Sequence, residues 1–276
     1  MWNVKLGNYD LKQGGPLFVI AGPCVLENEE TPLEIGHAMK TICDDLGLPY
    51  IFKASYDKAN RTSGSAFRGP GLEAGLDQLA RIKKELGVPV LTDVHLPEHC
   101  APTAEVCDVI QIPAFLCRQT DMLEAASKTS ACVNVKKGQF LAPWDMKNVV
   151  AKIKEFGAQS WMLTERGASF GYNTLVSDMR SIPQMQEFAE GPVVFDATHS
   201  VQQPGGQGTS SGGNSALAPW VASSAVAIGC DGLFAETHPN PAVAKSDGPN
   251  MIPLERMKAV LTRLKAIREA ALANPL

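Results

Sequence analysis

Lys53, Lys58, Arg61, Lys136 and Arg166 each stand at or shortly beyond the end of a short apolar run. If those runs are strands that end together, five cations share one opening. Such a cluster is stable only when anions neutralise it. Two or three phosphate or carboxylate groups on substrates would do so. An arginine fork grips phosphate at two points, and lysine acts as a point charge. A second set is Cys24, His199, Glu236 and Asp247. Thiolate, imidazole and two carboxylates suit a divalent transition metal such as Zn, Fe or Mn. These four are far apart in sequence, so their spacing alone says nothing. Only a fold that closes the end of the chain against its beginning brings them together.

The apolar runs are Leu17–Ile20, Tyr50–Phe52, Val88–Thr92, Val106–Ile112, Ala131–Val135, Ser160–Thr164, Pro192–Phe195 and Gly232–Ala235. Amphipathic stretches at helical period lie between them, such as Ile35 to Leu46 and Met257 to Ile267. Strands alternating with helices form parallel sheets. Eight units in 276 residues predict a closed α/β (β/α)8 TIM barrel, with 1–276 as a single domain. A doubly wound sheet is the alternative, but no GxGxxG follows the first run. Residues before Gly14 form a short N-terminal extension, expected to be a hairpin that closes the barrel bottom. The stretch Pro204 to Gly213 lacks the Lys-Ser/Thr of a phosphate loop and reads as a flexible loop or a lid.

Barrel chemistry sits at the strand C-termini. That rule adds Ser55, Asn60, Ser63, Asp93, Gln111, Ala114, Arg118 and Gln139 to the mouth. His95, His99 and His238 stay open between supporting and structural roles, and His37 reads as a surface or structural histidine.

Composition is that of an ordinary globular protein, 45% hydrophobic and 20% charged. A formal net charge of -4 with no block of like charges argues against a nucleic-acid surface. Seven scattered cysteines without a CxxC pair predict reduced thiols. The N-terminal residues show no apolar signal core, and no run approaches a membrane span. A cytoplasmic location is therefore expected.

Ala21–Glu27, Phe52–Gly71, Gln111–Thr120, Asn134–Asp145, Phe195–Gly206 and Phe234–Met251 carry a resemblance. Along nearly its whole length the chain resembles the 3-deoxy-D-manno-octulosonate-8-phosphate synthases. The resemblance implies a homotetramer of barrels. Each would join phosphoenolpyruvate to arabinose 5-phosphate and release phosphate, for lipopolysaccharide synthesis. It assigns Lys58, Lys136, Gln139 and Arg166 to phosphoenolpyruvate, and Asn60, Arg61 and Ser63 to the pentose phosphate. It also implies that Arg118 reaches a neighbouring subunit's site. Members with Cys after Gly-Pro on the first strand use a metal; members with Asn there do not. Cys24 and Ser246 match the metal-dependent branch.

Lys58, Asp93, Lys136, His199 and Asp247 are the candidate catalytic groups. Lys53, Ser55, Gln111, Ala114 and Arg118 join the expected substrate contacts. The related heptulosonate-phosphate synthases carry Lys-Pro-Arg where this chain has Lys58-Ala59-Asn60-Arg61. The added Asn60 can bond a sugar hydroxyl and favours the five-carbon aldose. Two other readings are a non-catalytic barrel that sequesters a phosphorylated metabolite and a Schiff-base aldolase using Lys136.

Overall fold

The computed structural model describes residues 1–206 and 212–275. A hairpin of β1 (Asn3–Leu6) and β2 (Tyr9–Lys12) opens the chain. Strand–helix units follow: β3 (Phe18–Gly22) with α1 (Glu30–Leu46), and β4 (Tyr50–Lys53) with α2 (Leu72–Leu86). Next are β5 (Val90–Asp93) with α3 (Cys100–Val106), and β6 (Val109–Ile112) with α4 (Thr120–Ser127). β7 (Cys132–Lys136) pairs with α5 (Met146–Glu155) in the same way. β8 (Trp161–Glu165) is followed by the short β9 (Ala168–Ser169) and β10 (Leu175–Val176), then α6 (Ser181–Gln186). β11 (Val193–Asp196) precedes β12 (Gln202–Gln203), β13 (Gly212–Gly213) and α7 (Ala218–Ala227). β14 (Gly232–His238), β15 (Ile252–Pro253) and α8 (Leu254–Ala273) complete the chain.

β3, β4, β5, β6, β7, β8, β11 and β14 pair in parallel, and β14 pairs with both β11 and β3. The sheet therefore closes into the expected eight-stranded barrel ringed by helices. One expected strand is corrected: Val106 ends α3, and β6 begins only at Val109. Cys107 and Asp108 link the helix to the strand, and the Asp108 carboxylate accepts the Val90 N–H at 3.0 Å. Of the expected Pro204–Gly213 loop, residues 207–211 lie outside the described residues. Gly212 and Gly213 pair with Gln203 and Gln202 across its base.

Side chains alternate along each strand, as a pleated backbone requires. Phe18, Ile20, Ile51, Leu91, Val109, Cys132, Met162, Val194 and Phe234 fill the barrel interior. Val4, Leu6 and Leu11 of the hairpin pack onto this same cluster and cap the barrel bottom. The opposite parity, including Val19, Phe52, Val133, Leu163 and Phe195, packs beneath the helices. Stepping two residues further along the inward parity reaches Lys53, Asp93, Gln111, Asn134, Lys136, Thr164, Asp196 and Glu236. The barrel axis thus runs from an apolar floor to a polar top.

Gly22 marks where β3 and β4 run closest. A Cβ built there would lie 2.0 Å from the Lys53 carbonyl oxygen. Gly22→Ala should cost about 1–3 kcal/mol of stability through overpacking. Urea denaturation checks this; an unchanged midpoint would contradict the close approach.

Candidate functional site

The polar top opens into a cavity of about 660 Å³. That size is suited to small-molecule ligands. Lys53, Ser55, Lys58, Asn60, Arg61 and Asp93 form one side of its wall. Gln111, Ala114, Lys136, Gln139 and Arg166 form the other, and His199 and Asp247 line the cavity as well. Two expected contacts lie elsewhere. Arg118 is exposed on the outer surface, where its carbonyl accepts from Lys152 Nζ at 3.3 Å. Ser63 is also outside the cavity wall, with its hydroxyl 3.0 Å from that of Ser65.

Cys24, Glu236 and Asp247 each offer a ligand atom, all within 4.8 Å of one another. The barrel closure produces this, because Gly22 pairs with Glu236. Cys24 and Glu236 are fully buried. The Cys24 thiol is pushed up by burial and further by the Glu236 charge. It donates to Asp247 Oδ2 at 3.5 Å. Burial alone would raise the Glu236 carboxyl. The Lys53, His199 and Lys58 charges outweigh it and hold the group well below the usual range.

His199 borders this trio. Its Nδ1 lies 2.7 Å from Asp196 Oδ2, and its Nε2 lies 3.6 Å from Glu236 Oε2 and 3.9 Å from Asp247 Oδ2. Carboxylate oxygens only accept, so Nδ1 carries a proton to Asp196, and in the neutral ring the Nε2 lone pair faces the trio. Glu236 Oε2 is buried without a hydrogen-bond partner among the described residues. His199 Nε2, Glu236 Oε2 and Asp247 Oδ2, with Nε2 3.6 and 3.9 Å from the two oxygens, fit a divalent cation between them. The soft sulfur beside hard oxygens points to a transition metal. Metal and proton would compete for the same sulfur.

Lys53 binds inward. Its ammonium donates to Glu236 Oε1 at 2.6 Å and to the Cys24 carbonyl at 2.9 Å. Lys58 Nζ reaches Ser55 Oγ at 3.3 Å. Burial works against its charge, but Cys24, Glu236, Asp93 and Asp247 hold its ammonium well above the usual range. The Ser55 hydroxyl donates to Asp93. Across the cavity, Lys136 donates to Asp196 and sits over the Phe234 ring, 3.3 Å from its centroid. Burial draws Lys136 down to about 8, with Asp196 opposing that fall. Arg166 donates from Nη2 to Gln202 Oε1 at 3.2 Å, while its buried Nη1 has no partner among the described residues. Arg61 donates to Ser246 Oγ at 2.8 Å and to the Lys245 carbonyl at 2.6 Å, bridging the loops after β4 and β14.

Sequence reasoning missed several supports. Gln202 joins Arg166 to Asp247, donating from Nε2 to Asp247 Oδ1 at 3.0 Å. Asn134 links Thr164 and Gln111 across three neighbouring strands, at 2.7 and 3.0 Å. Asp196 accepts from Lys136 and His199; its place three residues before His199 was the available signal. His238 pairs with Glu27 at 2.8 Å, and His99 Nδ1 meets the Tyr56 hydroxyl at 2.8 Å. His95 Nε2 lies 2.9 Å from the Asp57 carbonyl and 3.4 Å from Asp93 Oδ2. His37 is exposed beside Glu85. All seven cysteines are free and buried.

Comparison with known proteins finds similarity over nearly the whole chain. Residues 5–273 match the family described as the DAHP synthetase I family. A 2-dehydro-3-deoxyphosphooctonate aldolase of Azoarcus sp. (strain BH72) is 59% identical over 268 residues, 96% of each chain. The protein of that name from Trichlorobacter lovleyi is 57% identical, covering 96% of this chain and 97% of its own. The one from Geobacter metallireducens is 58% identical with the same coverage.

Proposed function

This chain belongs to the DAHP synthetase I family, and from that premise we infer that it catalyses the 2-dehydro-3-deoxyphosphooctonate aldolase reaction. Phosphoenolpyruvate and arabinose 5-phosphate condense with water to give 3-deoxy-D-manno-octulosonate 8-phosphate and inorganic phosphate. The observation that carries this reading is the cavity itself. It has a buried, unpaired guanidinium edge on one side and Lys58, Asn60 and Arg61 on the other.

Arg166 and Lys136, with Gln139 beside them, form the phosphoenolpyruvate half. The free Nη1 of Arg166 is a donor that an anionic oxygen would satisfy. Asn60 and Arg61 form the aldose half, where Asn60 can bond a sugar hydroxyl. Holding both anions in one cavity removes much of the entropic cost of bringing them together. The enol carbon then attacks the aldehyde carbon. Positive charge develops at the phosphate-bearing carbon, water adds there, and the C–O bond to phosphate breaks. Lys58, which the resemblance assigns to phosphoenolpyruvate, keeps its proton on the Asn60–Arg61 side of the cavity and can also stabilise negative charge on the aldehyde oxygen. Asp93, bonded to Ser55, and Asp247 are the carboxylates able to take a proton at the wall.

Cys24, Glu236 and Asp247, with His199 Nε2 beside them, would hold Zn, Fe or Mn. When bound, such an ion supplies polarisation of an oxygen at the cavity floor. Arg118, exposed on this chain, fits the reading of a homotetramer in which it completes a neighbour's site. No helix among the described residues is long and apolar enough to cross a membrane. A cytoplasmic enzyme is part of the proposal.

The test is phosphate release from phosphoenolpyruvate with arabinose 5-phosphate or erythrose 4-phosphate, with and without a chelator. Turnover should favour arabinose 5-phosphate, vanish on chelation and return with added Mn²⁺. A preference for erythrose 4-phosphate would assign the heptulosonate reaction instead. Full activity in metal-free protein would remove the metal.

A further inference from the structure

Glu27 lies on the loop after β3, three residues beyond Cys24, and its side chain is 8% exposed. Its two carboxylate oxygens have different partners, one at the end of β14 and one on the loop after it. Oε1 lies 2.8 Å from His238 Nε2, and Oε2 accepts the Lys245 backbone N–H at 3.1 Å. The proton positions follow from geometry. His238 Nδ1 accepts the Asn240 backbone N–H at 2.9 Å, so the ring N–H is on Nε2 and donates to Glu27. Glu27 therefore faces two donors and needs two acceptors.

The segment it holds has two tasks. The Lys245 peptide is gripped from both sides, its N–H by Glu27 and its carbonyl by Arg61. Two residues on, Asp247 sits in the left-handed region at φ 50° and carries its carboxylate to Cys24. A non-glycine residue keeps that conformation only where its surroundings enforce it.

We infer that Glu27 is a positioning residue. Through His238 and Lys245 it fixes the β14–β15 loop so that Asp247 reaches the metal trio and Arg61 is held at the aldose end of the cavity. The inference rests on the function proposed above. It acts unequally on the two halves of the site: among the described residues Arg166 and Lys136 make no direct contact with Glu27, His238 or Lys245, and Arg166 is reached only through the Gln202 link to Asp247.

Glu27→Gln tests it. The amide is isosteric but offers one acceptor and one donor, so one of the two loop contacts becomes donor against donor. His238 cannot relieve this by exchanging its ring proton without losing the Asn240 contact. Mn²⁺ affinity, measured calorimetrically on chelator-stripped protein, should weaken about 10- to 100-fold, the scale of lost support behind metal ligands. KM for arabinose 5-phosphate should rise by roughly tenfold, the scale of one lost charge-assisted hydrogen bond. KM for phosphoenolpyruvate should rise far less, because Arg166 meets the clamped loop only through Gln202. Glu27→Asp, which keeps both acceptors on a shorter stem, should recover part of both losses.

Wild-type Mn²⁺ affinity and aldose KM in Glu27→Gln would overturn the inference. So would an equal rise of both KM values together with a fall in the thermal midpoint, which a merely structural role would give. If wild-type protein turns over both substrates but binds no Mn²⁺, the metal site is wrong and the clamp's purpose with it. If wild-type protein turns over neither, the proposed function fails first.

Discussion

Arg166→Ala is expected to lower kcat/KM for phosphoenolpyruvate by roughly 30- to 5,000-fold. Truncating one member of a buried, hydrogen-bonded charge pair costs about 2–5 kcal/mol, and each 1.36 kcal/mol is one decade. The size of the effect follows from where the guanidinium sits. Arg166 is 5% exposed, with Nη2 on Gln202 and Nη1 unsatisfied. Burial alone pulls this guanidinium below its ordinary range. Without an anion the chain carries that cost; an anion on Nη1 repays it, so binding gains what folding gave up. Arg166→Lys keeps the charge but not the fork, and should recover only part of the loss. KM for arabinose 5-phosphate should change little in either variant. Steady-state kinetics with each substrate varied separately gives the answer. A change within about twofold in kcat/KM, typical of an inconsequential surface substitution, would remove Arg166 from the phosphoenolpyruvate site.

Much of this arrangement was legible before the fold was known, and the reason is strand parity. A strand sends alternate residues inward, so an apolar residue inside the barrel predicts that the residue two further on also faces inward. Cys132, Asn134 and Lys136 follow that rule, which separates Lys136 from its neighbour. Lys137 has the opposite parity and is buried among the Gly138 and Leu141 carbonyls and Glu165. The same rule carries Phe234 to Glu236 and Val194 to Asp196. The start of β6 was harder. Val106, Cys107, Val109 and Ile110 form an almost continuous apolar run, and only the Asp108 side chain marks the turn. Glu27 and Gln202 were not legible at all. Each is an ordinary polar residue just past a strand, and the partners that define it belong to other loops. Glu27 and His238 are 211 positions apart.

The same distinction between reaching the substrate and holding a partner governs Asp196. This residue has no exposed surface. Asp196 Oδ2 accepts from both Lys136 and His199 Nδ1, and Oδ1 accepts the His199 backbone N–H at 2.9 Å. Burial would raise its carboxyl, but His199 and Lys136 outweigh that and keep it ionised. In Asp196→Asn an amide nitrogen facing Lys136 and His199 meets two donors. His199 can escape only by moving its proton to Nε2, which blocks the lone pair facing Glu236 and Asp247. Lys136 can relieve this only by losing its proton, and while charged it is a buried cation without a counter-charge. Breaking such a pair costs about 3–5 kcal/mol of stability. Lys136 is also expected to titrate within a measurable pH range. Its folded value near 8 lies below the unfolded value of about 10.4. The unfolded chain therefore binds the proton more tightly, and between these limits stability from this group rises with pH. Anion binding needs the ammonium, so kcat/KM for phosphoenolpyruvate should fall as pH rises through about 8. Asp196→Asn should move that limb to lower pH, because the charge opposing the effect of burial is gone. Adding Lys136→Met to Asp196→Asn should restore most of the stability and none of the activity. Denaturation curves and pH–rate profiles of the three proteins decide the matter. A limb that stays in place in Asp196→Asn would mean that Asp196 does not hold the charge on Lys136.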